Sequence, residues 1–91
     1  EMTIGYLIYE KRKNYIRIHD ICVNPYYRRF GAGKSLIKYV KKCSAFRVNK
    51  RIAFYVPQEH LDIHLFLRAQ SFVCTGINKN NKYRFIYEER E

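Results

Sequence analysis

A chain of 91 residues has room for one small domain and one core, and a composition of 47% hydrophobic and 16% aromatic residues excludes a disordered polymer. No apolar run approaches the roughly 18 residues a membrane span needs, and the short N-terminal apolar stretch, broken by Gly5, Tyr6 and Tyr9, does not read as a signal peptide; a soluble, cytoplasmic protein is expected. A net charge of +10 and nine tyrosines would suit nucleic acid, but the cations are spread along the whole chain instead of forming one block, which weighs against that partner.

Glu1 ahead of Met2 suggests Met2 as the natural start. Thr3 to Glu10 sets Ile4, Tyr6 and Ile8 against Gly5, Leu7 and Tyr9, so a buried strand is expected. Lys11-Arg12-Lys13-Asn14 is a polar turn, and Tyr15 opens the returning strand of an antiparallel hairpin. In that strand Ile16 and Ile18 share one face, but the next apolar pair is Ile21 and Val23. The two-residue phase therefore slips at His19-Asp20, as a β-bulge would make it.

The stretch from Ile18 to Val40 organises the rest. The strand ends at Val23, Asn24-Pro25-Tyr26-Tyr27 turns, and Arg28-Arg29-Phe30-Gly31-Ala32-Gly33-Lys34 opens a helix. Leu36, Ile37, Val40 and Cys43 form the apolar stripe of that helix, with Lys38, Lys41 and Lys42 mostly elsewhere. A strand, a glycine-bearing loop and a helix start aim unpaired N–H groups and a positive dipole at one point, which suits phosphate. Gly31 and Gly33 let a ligand approach the backbone, and Arg28, Arg29 and Lys34 flank them. A Walker A loop would need glycine where Arg28 stands, and the dinucleotide fingerprint would need glycine at Leu36.

Ser44 to Lys50 reads as a link. Arg51 to Val56 is a continuous apolar run, as in a central strand covered on both sides, and Pro57 ends it. Strand, helix and strand in this order place the two strands parallel with a right-handed crossover. Glu59 to Gln70 reads as a helix with Leu61, Leu65, Ala69 and Phe72 on one stripe. Phe72 to Ile77 and Tyr83 to Glu88 form a closing hairpin about Asn78-Lys79-Asn80-Asn81-Lys82. Cys22, Cys43 and Cys74 are too few and too far apart for a disulfide framework or a zinc site, and each is expected in the core.

Arg28-x-x-Gly31-x-Gly33 directly after Val23-Asn24-Pro25 resembles the signature of the GNAT superfamily of N-acetyltransferases. Tyr55 to His60 and Leu65 to Phe72 resemble the second half of such a domain, particularly in the branch that acetylates protein N-termini such as ribosomal-protein alanine. The resemblance implies one α/β domain over residues 1–91, a mixed sheet of about five to six strands with two main helices. It also implies that the first strand and the helices which usually build much of the acceptor pocket would precede Met2. Acetyl-coenzyme A is the implied co-substrate. Arg28, Arg29, Phe30, Gly31, Ala32, Gly33 and Lys34 would hold its diphosphate, and backbone groups of Ile21, Cys22 and Val23, freed by the bulge, its pantetheine arm.

The implied reaction moves acetyl to a primary amine, such as a protein N-terminus or a lysine. It asks for a base, an oxyanion donor and an acid for the departing thiolate. Here the sequence departs from the family. The base position on the second parallel strand is Tyr55, another on the bulged strand is Arg17, the asparagine opening the next helix is His60, the tyrosine acid is Leu67, and the glycine before Phe72 is Ser71. Tyr55, His19 and His60 are the replacement candidates, with Asp20 and His64 beside them; each histidine also reads as a surface group, and Tyr55 as packing. Glu59 reads as a helix-end charge. His60 and His64 lie one turn apart but lack a Glu-x-x-His context and a third ligand, so no metal is expected. The departures leave open a degenerate, non-catalytic coenzyme A-binding or protein-interaction module. Exposed sheet edge implies some self-association into a homo-oligomer.

Overall fold

The computed structural model describes residues 4–44 and 51–88. In chain order these form β1 (Gly5–Lys11), β2 (Ile16–Val23), a 3-10 helix (Pro25–Phe30), α1 (Ala32–Ser44), β3 (Arg51–Pro57), α2 (Leu61–Ala69), β4 (Val73–Ile77) and β5 (Lys82–Glu88). The strands make one mixed sheet in the order β1-β2-β3-β5-β4, parallel only between β2 and β3. This is the expected α/β architecture of five strands and two helices. Most of the expected link from Ser44 to Lys50 lies outside the described residues.

Both helices sit on one face of the sheet. Ile16 and Ile18 stand beside Ile52 and Phe54, and Phe54 beside Phe85, so apolar side chains form rows across three strands. Ile37 and Val40 of α1 and Leu67 of α2 close over them. Burying each such side chain contributes about 1.5–3 kcal/mol. The alternate residues, among them Tyr6, Ile8, Arg17, Tyr55 and Ile86, point the other way, and among the described residues no helix lies over that face.

Three expectations are corrected by the fold. β1 is an edge strand buried on one side only: Leu7 and Tyr9 pack against the core, while Ile4, Tyr6 and Ile8 stay 44–53% exposed. The stripe on α2 is the opposite one. Leu61 and Leu65 are 66% and 68% exposed and Ala69 is exposed, whereas Leu67 is sealed and Ile63 and Phe66 are half-buried. Of the cysteines, Cys22 and Cys74 are exposed, while Cys43 is half-buried and packs against the core as expected.

Two local irregularities shape β2 and the end of α2. Across β1 and β2, Ile8 faces Asp20 but Tyr9 faces Ile18. His19 is thus the extra residue of a bulge, where the phase slip places it. The other irregularity ends α2. Phe72 N–H donates to the Leu67 carbonyl at 3.0 Å and Ser71 N–H to that of Arg68 at 3.1 Å, the paired bonds of a Schellman stop, with Ser71 at φ 71° in the position glycine favours. Leu67 and Phe72 meet in the core beneath it.

Candidate functional site

Parallel pairing between β2 and β3 is short. It links Ile16–Ile18 to Ile52–Phe54 and goes no further. Beyond the bulge β2 stays paired with β1 through Val23, so its edge toward β3 is left without a strand partner at Ile21, Cys22 and Val23. Unpaired backbone groups of this kind need another acceptor or donor.

The same strand feeds the loop. Asn24 Oδ1 accepts from Tyr26 N–H at 3.0 Å and its carbonyl from Tyr27 N–H at 2.8 Å, which starts the 3-10 helix where a simple turn was expected. Gly31 ends that helix at φ 77°, a left-handed conformation that a side chain would strain. Its carbonyl then accepts from Ser35 N–H at 2.9 Å and begins α1. The N–H groups of the first turn of α1 have no partner within the helix.

These pieces meet at a cleft of about 330 Å³ lined by Ile21, Cys22, Val23, Arg28, Gly31, Gly33, Lys34, Asp62, Ile63 and Phe66. The Arg28 Nε–H donates to the Val23 carbonyl at 3.2 Å, which fastens the loop to the strand end. Lys34 is exposed at the rim. Gly33 is buried, and a Cβ built there would lie 3.1 Å from the Phe66 ring, so its bareness is what lets α1 approach α2.

Seven of the ten residues expected to bind cofactor therefore line one cleft. Of the others, Ala32 is not among the lining residues, and the side chains of Arg29 and Phe30 lie outside the described residues. Asp62, Ile63 and Phe66 were missed; they come from α2, about thirty residues further on, and no motif marks them.

The three expected catalytic side chains are not brought together. Tyr55 is on the face away from the helices, with the Arg17 guanidinium 4.8 Å above its ring. His19, at the bulge, bonds through Nε2 to Glu10 Oε1 at 3.0 Å. That bond, aided by Arg12 at 3.1 Å, holds the Glu10 carboxyl below the usual range. His60 precedes α2, exposed and with a side chain that makes no capping bond; the helix starts at Leu61, two residues later than expected. His64 Nε2 donates to the Pro57 carbonyl at 3.0 Å and its ring meets Tyr83 and Phe85 edge-on, a packing role. Leu67 is fully buried.

A model of the Acetyltransferase (GNAT) family matches residues 2–72. Among curated protein sequences there is no match. Among solved structures the chain is similar to Ard1 from Thermoplasma volcanium, with TM-score 0.80 and 19% identity over 97% of this chain and 64% of that one. It is likewise similar to Arabidopsis thaliana Naa50, with TM-score 0.79 and 19% identity over 92% of this chain and 64% of that one. PaiA N-acetyltransferase from Thermoplasma acidophilum is a third, with TM-score 0.77 and 17% identity over 94% and 54%. The chain thus spans less than two thirds of the length of these relatives. The family match over most of the sequence, together with a sheet and helix arrangement shared with these enzymes, makes this chain a member of the GNAT acetyltransferase family.

Proposed function

We propose that the protein takes acetyl from acetyl-coenzyme A and passes it to a primary amine, such as a protein N-terminus or a lysine. The observation that carries this reading is the parting of β2 from β3 beyond Ile18 and Phe54, directly beside the first turn of α1. It leaves a free strand edge and a helix N-terminus side by side. In support, the structure of Naa50 contains a bisubstrate analogue, CoA-Ac-MVNAL, and that of PaiA contains coenzyme A.

The lining residues fit such a co-substrate. The first-turn N–H groups of α1, with Arg28 and Lys34, would receive the diphosphate. The volume is at the small end of the roughly 300–1,000 Å³ of ligand pockets, enough for an extended arm but not for the nucleotide. Ile63 and Phe66 would wall that arm on one side and the edge of Ile21 to Val23 would bond it on the other. When bound, acetyl-coenzyme A supplies an activated thioester carbonyl. Antiparallel pairing turns the Cys22 amide toward Tyr6 of β1 and the Ile21 and Val23 amides toward the cleft. The Val23 amide would donate to the oxyanion that forms there, an effect worth about 2.7–4 kcal/mol of barrier where such donors have been removed.

A second reading, a coenzyme A-binding module without turnover, is favoured by one specific observation. Leu67 is sealed in the core where the family carries its acid tyrosine, and among the described residues no histidine or tyrosine lines the cleft.

Calorimetry with coenzyme A and alkylation of the cysteines test the shared part. Bound coenzyme A is expected to shield Cys22 from iodoacetamide and leave Cys74, which is exposed but outside the cleft, as reactive as before. Absence of heat and equal labelling of both would sink both readings. Thiol release over a panel of amines separates them, because sustained turnover excludes the inactive module.

A further inference from the structure

The cleft between β2 and β3 is lined by residues that belong to both faces of the sheet. Ile21 packs against the core under the helices, and successive strand residues alternate between faces. Cys22, paired with Tyr6, therefore points to the face away from α1 and α2, yet it lines the same cleft as Ile21 and Phe66. A group carried to the end of the cleft from the helix side comes out beside Cys22.

A hydrogen-bonded pair stands at that exit. The Tyr6 hydroxyl donates to Asp20 Oδ2 at 3.1 Å. This bond first, then the Asp20 charge and the nearby Cys22 thiol, raise the Tyr6 hydroxyl above the usual tyrosine pKa. Asp20 also differs from the other carboxylates of this face. Glu10 is held by Arg12 and His19, and Glu88 by Arg51. Among the described residues no cation is paired with Asp20, although the chain carries a net charge of +10. Further along the same face stand Arg17, over the Tyr55 ring, and Arg84, bonded to the Thr75 hydroxyl, which would repel a second positive charge on whatever docks there.

We propose that the Tyr6–Asp20 pair seats the acceptor: Asp20 takes the ammonium of a primary amine, Tyr6 orients the carboxylate, and the body of the acceptor, lying over the arginines, is neutral or acidic. The idea rests on the acetyl-transfer reading and deepens it by naming the acceptor class and the face it uses. The ammonium loses one proton to solvent at the open face. Its lone pair forms the C–N bond as the C–S bond breaks, the electron pair leaves on the coenzyme A sulfur, and a second nitrogen proton ends on that sulfur as a thiol.

The test titrates the 91-residue chain with Ala-Glu-Glu amide, its N-acetylated form and Ala-Lys-Lys amide, following Asp20 and Tyr6 side-chain signals by NMR without coenzyme A. Ala-Glu-Glu amide is expected to give saturable shifts, Ala-Lys-Lys amide to bind more weakly, and the acetylated peptide to give none. Asp20→Asn should weaken the first by about tenfold, as loss of a charged hydrogen bond does, and Tyr6→Phe by less. Equal response to the free and acetylated peptides, tighter binding of the lysine peptide, or unchanged affinity in an Asp20→Asn variant with a native circular-dichroism spectrum would overturn the proposal. Calorimetry with coenzyme A on the same samples keeps the two ideas apart. Failure there counts against the donor cleft alone, while the peptide titrations still decide the acceptor seat.

Discussion

Gly33 does its work by what it lacks. A Cβ there would meet Phe66 at 3.1 Å, tighter than most real contacts, and Phe66 is itself a wall of the cleft. Gly33→Val is therefore expected to push the ring into the ligand's path and to weaken coenzyme A binding more than tenfold, roughly 1.4 kcal/mol or more, by calorimetry. Wild-type affinity in that variant would mean that the arm does not pass Phe66. At this scale the sequence was most legible where chemistry is local. Arg28, Gly31, Gly33 and Lys34 share one loop and mark it by residue type alone. Asp62, Ile63 and Phe66 reach the same cleft only because α2 folds back over the sheet, and no spacing between them and the loop encodes that.

α2 shows why periodicity failed in one helix and held in the other. In α1 the lysines separate the apolar stripe from the rest, and Ile37 and Val40 are buried as expected. α2 carries Leu61, Ile63, Leu65, Phe66 and Leu67, apolar nearly all round, so two stripes fit equally. The choice is made at its end, where the Schellman bonds and the Leu67–Phe72 contact fix the rotation of the helix. Leu67→Ala should cost about 2–5 kcal/mol, whereas Leu61→Ala, far out in solvent, should stay within about 0.5 kcal/mol; urea unfolding distinguishes them. Ser71, held at φ 71°, occupies a backbone region that suits glycine. Ser71→Gly should accordingly raise the unfolding free energy by about 1 kcal/mol, and a loss of stability would show that the serine hydroxyl has a role of its own.

At the scale of the whole molecule, charge and surface oppose each other. The helix-free face presents Tyr6 and Ile8, and Val73 stands exposed on β4, apolar surface that favours contact between copies. A net charge of +10 resists that contact. Salt shortens the reach of the repulsion from about 30 Å at 0.01 M to about 8 Å at 0.15 M. Sedimentation velocity should show a larger species growing in as salt is added, and Ile8→Lys should suppress it. A boundary that ignores salt would remove the case for self-association. The uncovered face was illegible beforehand, because a strand with apolar residues at every position reads as buried whether or not anything covers its second side.

The brevity of the β2–β3 seam bears on how the protein assembles. β1 with β2, and β4 with β5, are neighbours in sequence and can zip early; the parallel seam closes a loop that includes α1 and rests on three residue pairs. It should be the late step of folding and the early step of unfolding, a leaf turning on a short spine. Coenzyme A lying across the parted strands would bind them like a stitch, so unfolding should slow when it is present, in proportion to its occupancy.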